Sequence, residues 1–333
     1  MKYIAGILAL GATLAGLAPT ARADDPVVYK FSFASPATSW INTQGITPWT
    51  EQVAKATNDQ LKINVFAGGT LANARNVYDR VINGVVELGY NAFADTDQFP
   101  GLDVSAIPFE SDDNVASTLA LWRMVEKGII SDFSRVKPIA VFNIPGNGLN
   151  SNKPISKLED MSGMKVSVAG RMVGESVSAI GGTPLTLISA ELYQSVQRNM
   201  IQVAATSFLA VTTFKLDEVT KYHLDVPFGL TPAGYFMNKE SYAKLPERDR
   251  RAIDSTSGEK LSRTVAEAGK GQLVDTLKIL STPPHTLSKL APAEYARWKK
   301  KLEPIVEEWT KRTPNGATIL ATYRQELVNA KTH

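Results

Sequence analysis

The chain has 333 residues, no cysteine, three histidines and a formal net charge of +3. Without cysteine there is no disulfide or thiol chemistry. Three scattered histidines without an HExxH leave no metal motif, and the near-neutral balance lacks the concentrated basic face that nucleic acid requires. The length suits two domains.

The chain opens on Met1-Lys2-Tyr3, an apolar run over 4–18, and Ala21-Arg22-Ala23 before the acidic Asp24-Asp25. A charged start, a short apolar stretch and an A-x-A end predict a secretory signal peptide over 1–23, cleaved after Ala23. Removing Lys2 and Arg22 from 36 basic residues leaves 34 against 33 acidic ones, a net of +1. An exported protein of this kind is held together by core burial alone.

The β-rich stretch 27–34 reads as a first strand, with "SPATSW" as its break. A helix over 46–56, an alternating strand over 61–66, a helix over 73–83 and a strand over 85–90 follow. That β-α-β-α-β order predicts an α/β fold. A helix over 117–127 and a strand over 139–142 lead to "NIPGNGLNSNKP", rich in Gly, Pro and Asn and expected to be a crossover. A second unit then runs strand 165–168, helix, strand 185–187, helix 191–198, strand 202–205. Two such units predict two lobes with a cleft between them. Residues 246–280 read as one long helix, with a break expected near Gly269 to Gly271. Residues 292–310 give another helix, whose Trp298, Leu302, Ile305 and Trp309 are spaced as a core stripe.

No GxSxG is present, and Gly146-Asn147-Gly148 lacks the third glycine of a dinucleotide fingerprint. No catalytic residue, cofactor or metal site is therefore expected. The ordered series "YKFSFASPATSW", "ATNDQLKINVFAGGTLANAR", "VINGVVELGYNAFA", "IPFESDDNVA", "SNKPISKLEDMSGMKV", "GGTPLTLISAELYQSVQRNMI" and "GYFMNKESYAKLPERDRRAI" resembles the periplasmic substrate-binding proteins of TRAP transporters. The resemblance implies the two-domain periplasmic binding protein fold, with ligand capture by closure of a hinged cleft and a long helix spanning both domains. It implies domain I over 24–146 plus 234–272 and domain II over 147–233 plus 273–333. It also implies a periplasmic monomer that delivers a small organic acid to a small and a large integral membrane subunit. A ligand sensor, an ATP-driven importer's binding protein and a carboxylate enzyme are the alternatives.

Against the family pattern, Ser167 stands where an arginine usually pairs with the ligand carboxylate. Asn147-Gly148-Leu149 matches a stretch that often carries a second arginine, and Gln202 to Thr206 replace a common polar motif. Arg171, at the start of the helix after "KVSVAG", is expected to supply the missing cation, since a helix N-terminus plus a guanidinium favours a bidentate carboxylate. Arg75 in "LANAR" is the other candidate cation. Phe33, Trp40, Tyr90, Asn91 and Phe93 lie at or beyond domain I strand ends, where open α/β sheets bind ligands. Thr206 and Phe208 hold the matching place in domain II, and Tyr235 precedes the long helix. Together with Ser167 and Asn147 they predict a pocket more aromatic and less ionic than usual.

Overall fold

The computed structural model describes residues 25–93 and 98–331. The predicted signal peptide, Asp24 and His333 lie outside the described residues. Two sheets organise the chain. The first is built from β1 (Val27–Ser32), β2 (Leu61–Phe66), β3 (Leu88–Ala92), β4 (Val136–Ile144) and β10 (Thr231–Asn238), in the order β2-β1-β3-β10-β4. The second holds β5 (Asn147–Ser151), β6 (Lys165–Val168), β7 (Thr183–Thr186), β8 (Val203–Ser207), β9 (Tyr222–Asp225) and β11 (Thr286–Lys289), in the order β11-β9-β5-β8-β6-β7. Each sheet is parallel except for one strand. β10 runs antiparallel between β3 and β4, and β5 runs antiparallel between β8 and β9.

The stretch expected to be a featureless crossover therefore contains β5. Its Asn and Gly residues enter a ladder because both neighbours are strands, and tertiary pairing overrides weak strand propensity. The strands β9, β10 and β11 also went unread. β9 and β11 are four residues long and so carry little period-2 signal. β10 is buried over nearly its whole length and shows no alternation.

The helices are α1 (Thr47–Ala56), α2 (Val77–Ile82), α3 (Asn114–Glu126), α4 (Gly170–Ala179), α5 (Leu192–Gln197), α6 (Phe208–Thr213), α7 (Lys239–Lys244), α8 (Glu247–Thr256), α9 (Glu259–Leu280), α10 (Pro292–Arg312) and α11 (Gly316–Lys331). One turn of π-helix, Ile41–Ile46, leads into α1. The single long helix expected over 246–280 is two helices, α8 and α9. They break at Gly258, whose φ of 81° lies in the left-handed region that glycine tolerates. Helix α9 runs unbroken through Gly269, whose missing side chain makes room for the Trp40 ring; a Cβ there would sit 3.2 Å from Trp40 Cη2.

Helix α9 touches both sheets' layers. Its first half docks on the first sheet: the Ser262 hydroxyl accepts the Val141 amide at 3.1 Å, and Asn114 Nδ2 donates to Ala266 O at 2.8 Å. Its second half packs Leu273, Leu277 and Leu280 against Phe208, Val211 and Leu216 of the second lobe. Two further segments cross between the sheets, Pro145-Gly146 and residues 226–230. Helix α10 buries Trp298, Leu302, Ile305 and Trp309 as a core stripe. Helix α11 lies along α3, with the Ser117 and Tyr323 hydroxyls 2.5 Å apart. This segment therefore sits with the first lobe and not with 273–333 as expected, because its buried face is complementary to α3. Strand β10 likewise begins at Thr231, ahead of the boundary expected at 234.

Candidate functional site

Strands β1, β3 and β4 end facing the ends of β6 and β8, and β5 and β10 start there. That rim, where open α/β sheets gather their ligands, encloses a cavity of about 120 Å³. From the first lobe come Ala34 and Ser35 after β1, Ser39 to Ile41 at the helix start, Ala74, Ala106, Tyr90 to Ala92 on β3, and Ile144 on β4. From the second come Asn147 and Gly148 on β5, Ala169 and Val173 around the start of α4, Ile188 to Ala190 after β7, and Ala205 to Ser207 on β8. Leu209, Ala210, Thr213 and Phe214 add the α6 wall, and Phe228, Leu230 and Thr231 the second crossover. The wall is mostly apolar, with four aromatic rings, and no Asp, Glu, Lys, Arg or His is among its described residues.

Five of the sequence-predicted residues meet at this cavity: Trp40, Tyr90, Asn91, Asn147 and Thr206. The Trp40 ring lies against Gly269, where an added Cβ would also meet the Pro145 ring, 3.5 Å from its Cδ. Tyr90 stacks parallel to Phe142, centroids 6.2 Å apart. Asn91 Nδ2 donates to Ala74 O at 3.0 Å, so the β3 end is tied to the segment before α2. Asn147 is fixed from two sides: its Nδ2 donates to Gly229 O at 2.9 Å and its Oδ1 accepts the Thr231 hydroxyl at 3.0 Å. That pair of bonds locks one crossover to the other at the cavity edge.

The other seven candidates are placed elsewhere. Phe33 is buried in the first core beside Phe31 and Trp49. Phe93 belongs to an aromatic cluster with Phe99 and Phe133, at 4.1 and 5.5 Å. Phe208 fills the space under Gly148, where a Cβ would fall 2.4 Å from Phe208 Cζ. Tyr235 is enclosed by Phe31, Phe142, Tyr90 and Trp49 at 5.3 to 6.3 Å. Its hydroxyl has no hydrogen-bond partner among the described residues, and burial pushes its pKa well up. Ser167 is buried between Leu185 and Ala204 in β6, two residues short of the cavity wall at Ala169. Arg171 is an exposed residue in the first turn of α4 and is not part of the wall. Arg75 makes a bidentate ion pair with Glu191, both contacts 2.9 Å.

The sequence reading missed the turn 188–190, the face of α4 that carries Ala169 and Val173, and the second crossover. The first was in reach, because strand-end loops line such clefts and β7 had been anticipated. The second crossover was not, since β9 and β10 on either side went unread.

The model of the bacterial extracellular solute-binding proteins, family 7, matches residues 33–313. The chain is a family 7 solute-binding protein. Such proteins are the solute receptors of TRAP transporters and not enzymes. This solute-binding protein is 27% identical over 301 residues to the outer membrane transporter protein TsaT of Comamonas testosteroni, covering 84% of this chain and 86% of that one. It is 23% identical over 333 residues to the C4-dicarboxylate-binding periplasmic protein DctP of Rhodobacter capsulatus, covering 97% and 98%.

Among solved structures it is similar to a marine metagenome TRAP solute-binding protein specific for aromatic acid ligands, in complex with 3-hydroxybenzoate. The TM-score is 0.88 at 24% identity, covering 92% of this chain and 99% of that one. A receptor from Rhodoferax ferrireducens T118 with copurified benzoate gives 0.87 at 20% identity, covering 92% and 99%. At these identities the structures establish the fold of the solute-binding protein. The family is extracytoplasmic, and among the described residues no helix is long and apolar enough to cross a membrane.

Proposed function

We propose that the protein captures a small organic acid with a single ring in the cleft and delivers it to the small and large membrane subunits of a TRAP transporter. The observation that carries this reading is the cavity itself. Its volume of about 120 Å³ is close to the roughly 150 Å³ apolar space that accepts benzene. Trp40, Tyr90, Phe214 and Phe228 are its aromatic lining residues, and Asn91, Ser189 and Thr206 are among its uncharged polar ones. The relatives with bound 3-hydroxybenzoate, benzoate and mandelate support the same class. A C4-dicarboxylate fits poorly: it brings two charges and no ring to a wall whose described residues include no cation. Of the original candidates, Trp40, Tyr90, Asn91, Asn147 and Thr206 are the proposed contacts, and Arg171 is not.

The chain acts as a periplasmic monomer after removal of residues 1–23, and an intact mass beginning at Asp24 checks the cleavage. Capture proceeds by closure of the two lobes about Pro145-Gly146 and residues 226–230. A thermal-shift series against benzoate, 3-hydroxybenzoate, mandelate, pyroglutamate and succinate tests the ligand class. A ligand present at a hundred times its Kd stabilises by about 2.7 kcal/mol, and the ring acids are expected to raise the midpoint. A shift with succinate and none with any ring acid would refute the reading. Arg171→Ala is expected to leave the affinity of a responding ring acid within about twofold, as for a surface charge.

A further inference from the structure

Arg75 and Glu191 come from opposite lobes. Arg75 follows Ala74 at the rim of the first lobe, and Glu191 closes the turn after β7 in the second. Their two parallel contacts, Nη1 to Oε1 and Nη2 to Oε2, both measure 2.9 Å. The same carboxylate reaches inward: Glu191 Oε2 accepts the Ile188 amide at 3.2 Å. Ile188, Ser189 and Ala190 wall the cavity, as does Ala74 across the gap. One carboxylate thus holds the turn that forms one wall and grips the residue beside the other. Arg75 also keeps the Glu191 carboxyl below its usual pKa, so the pair is ionic at neutral pH.

We infer that the Arg75–Glu191 pair is a latch that sets the open-to-closed balance of the cleft. Glu191 is the positioning residue for the 188–190 wall, and Arg75 is its partner across the cleft rather than a cation for the ligand. The inference rests on the two-lobe receptor reading. The partners stand 116 residues apart in the chain and on different sheets, so their contact requires the lobes to be together. Side-chain exposures of 53% and 39% leave the pair open to salt. Its weight is that of a well-formed exposed pair, about two- to fivefold in the closed-to-open ratio.

The test needs no ligand. The sequence has no cysteine, so Lys62→Cys on β2 and Lys165→Cys on β6, both exposed, accept spin labels uniquely. Pulsed electron resonance then counts short and long interlobe distances in the unliganded protein at low salt. Glu191→Gln and Arg75→Gln are each expected to lower the short-to-long ratio two- to fivefold. The double variant falls no further, because coupled partners are not additive. Arg75→Glu with Glu191→Arg recovers part of the ratio, because the reversed pair re-forms while an arginine at 191 cannot accept the Ile188 amide. About 1 M salt lowers the ratio in the wild type but not in the glutamine variants. Additive single effects, unchanged ratios, or a wild type with only the long distance would overturn the latch. The ring-acid thermal shifts report on the ligand separately, so either idea can fail while the other stands.

Discussion

His223 gives the sharpest pH prediction. It lies on β9, fully buried, with Nδ1 2.8 Å from Asn150 Oδ1 and Nε2 3.3 Å from His285 Nδ1. Asn150 uses its Nδ2 to donate to Ala204 O at 3.1 Å, so its Oδ1 can only accept. His223 Nδ1 therefore carries the proton, and Nε2 is the acceptor for His285. A second proton would fall on Nε2, inside the protein and against a donor. Burial, and then His285, push the pKa of His223 down to about 4 from an ordinary 6.5. The folded state refuses a proton that the unfolded chain accepts, so this group's contribution is intact above pH 6.5 and is lost as pH falls towards 4. Linkage makes the loss about 2 kcal/mol between pH 7 and pH 5, or about 3 °C in Tm for a chain of this size. Asp132 works in the opposite sense, since burial pushes it up to about 6 while it accepts the Gly101 and Leu102 amides. The wild-type profile alone therefore understates the effect.

The measurement is calorimetric Tm against pH for wild type and His223→Gln, in which Asp132 is common to both. The difference between them is expected to shrink by about 3 °C from pH 7 to pH 5. Parallel curves would refute the assignment. Proton NMR of the wild-type imidazoles is a second check: one histidine should show no titration above pH 5, and normal titration of all of them would refute it equally.

Two further substitutions follow from the packing. Tyr235→Phe removes a buried hydroxyl that has no partner among the described residues, and is expected to raise stability by about 1 kcal/mol in urea unfolding; a loss of that size would mean the hydroxyl is satisfied. Gly229→Ala places a Cβ 2.4 Å from the Ala106 backbone at a φ of 76°. It is expected to cost at least about 2 kcal/mol, and unchanged unfolding would show that the crossover does not hold this close contact.

The family, the α/β class and the two lobes could be read from strand-helix alternation and an ordered set of segments. The site was harder for a geometrical reason. Along a strand adjacent residues face opposite sides of the sheet, but the end of β3 runs into the cleft, and Tyr90, Asn91 and Ala92 all line the cavity. Tyr90 reaches the cavity, while Phe93 beyond it turns into the aromatic cluster with Phe99. Period alone did not say which face of either sheet lay towards the cleft. Arginine placement was less legible still. Arg75 reads from the sequence as a candidate ligand cation, but its partner Glu191 lies on a turn of the other lobe that no local pattern connects to it. Gly269 was read as a breaker because glycine is a poor helix former, yet its role is to admit Trp40.

The place of β10 has a consequence for how the molecule comes into being. It is the second-to-last strand in the chain, yet it sits inside the first sheet between β3 and β4. Until residues 231–238 have emerged, that sheet exists only as β2-β1-β3 and a lone β4, each with a bare edge. The strands from β5 to β9 need nothing beyond residue 225 to pair with one another. The usual expectation that the N-terminal domain folds first therefore does not hold here. The first lobe waits for β10 with its edges open to wrong partners, and the second, though its strands can pair earlier, waits for the end of α9, for β11 and for α10 to cover its core.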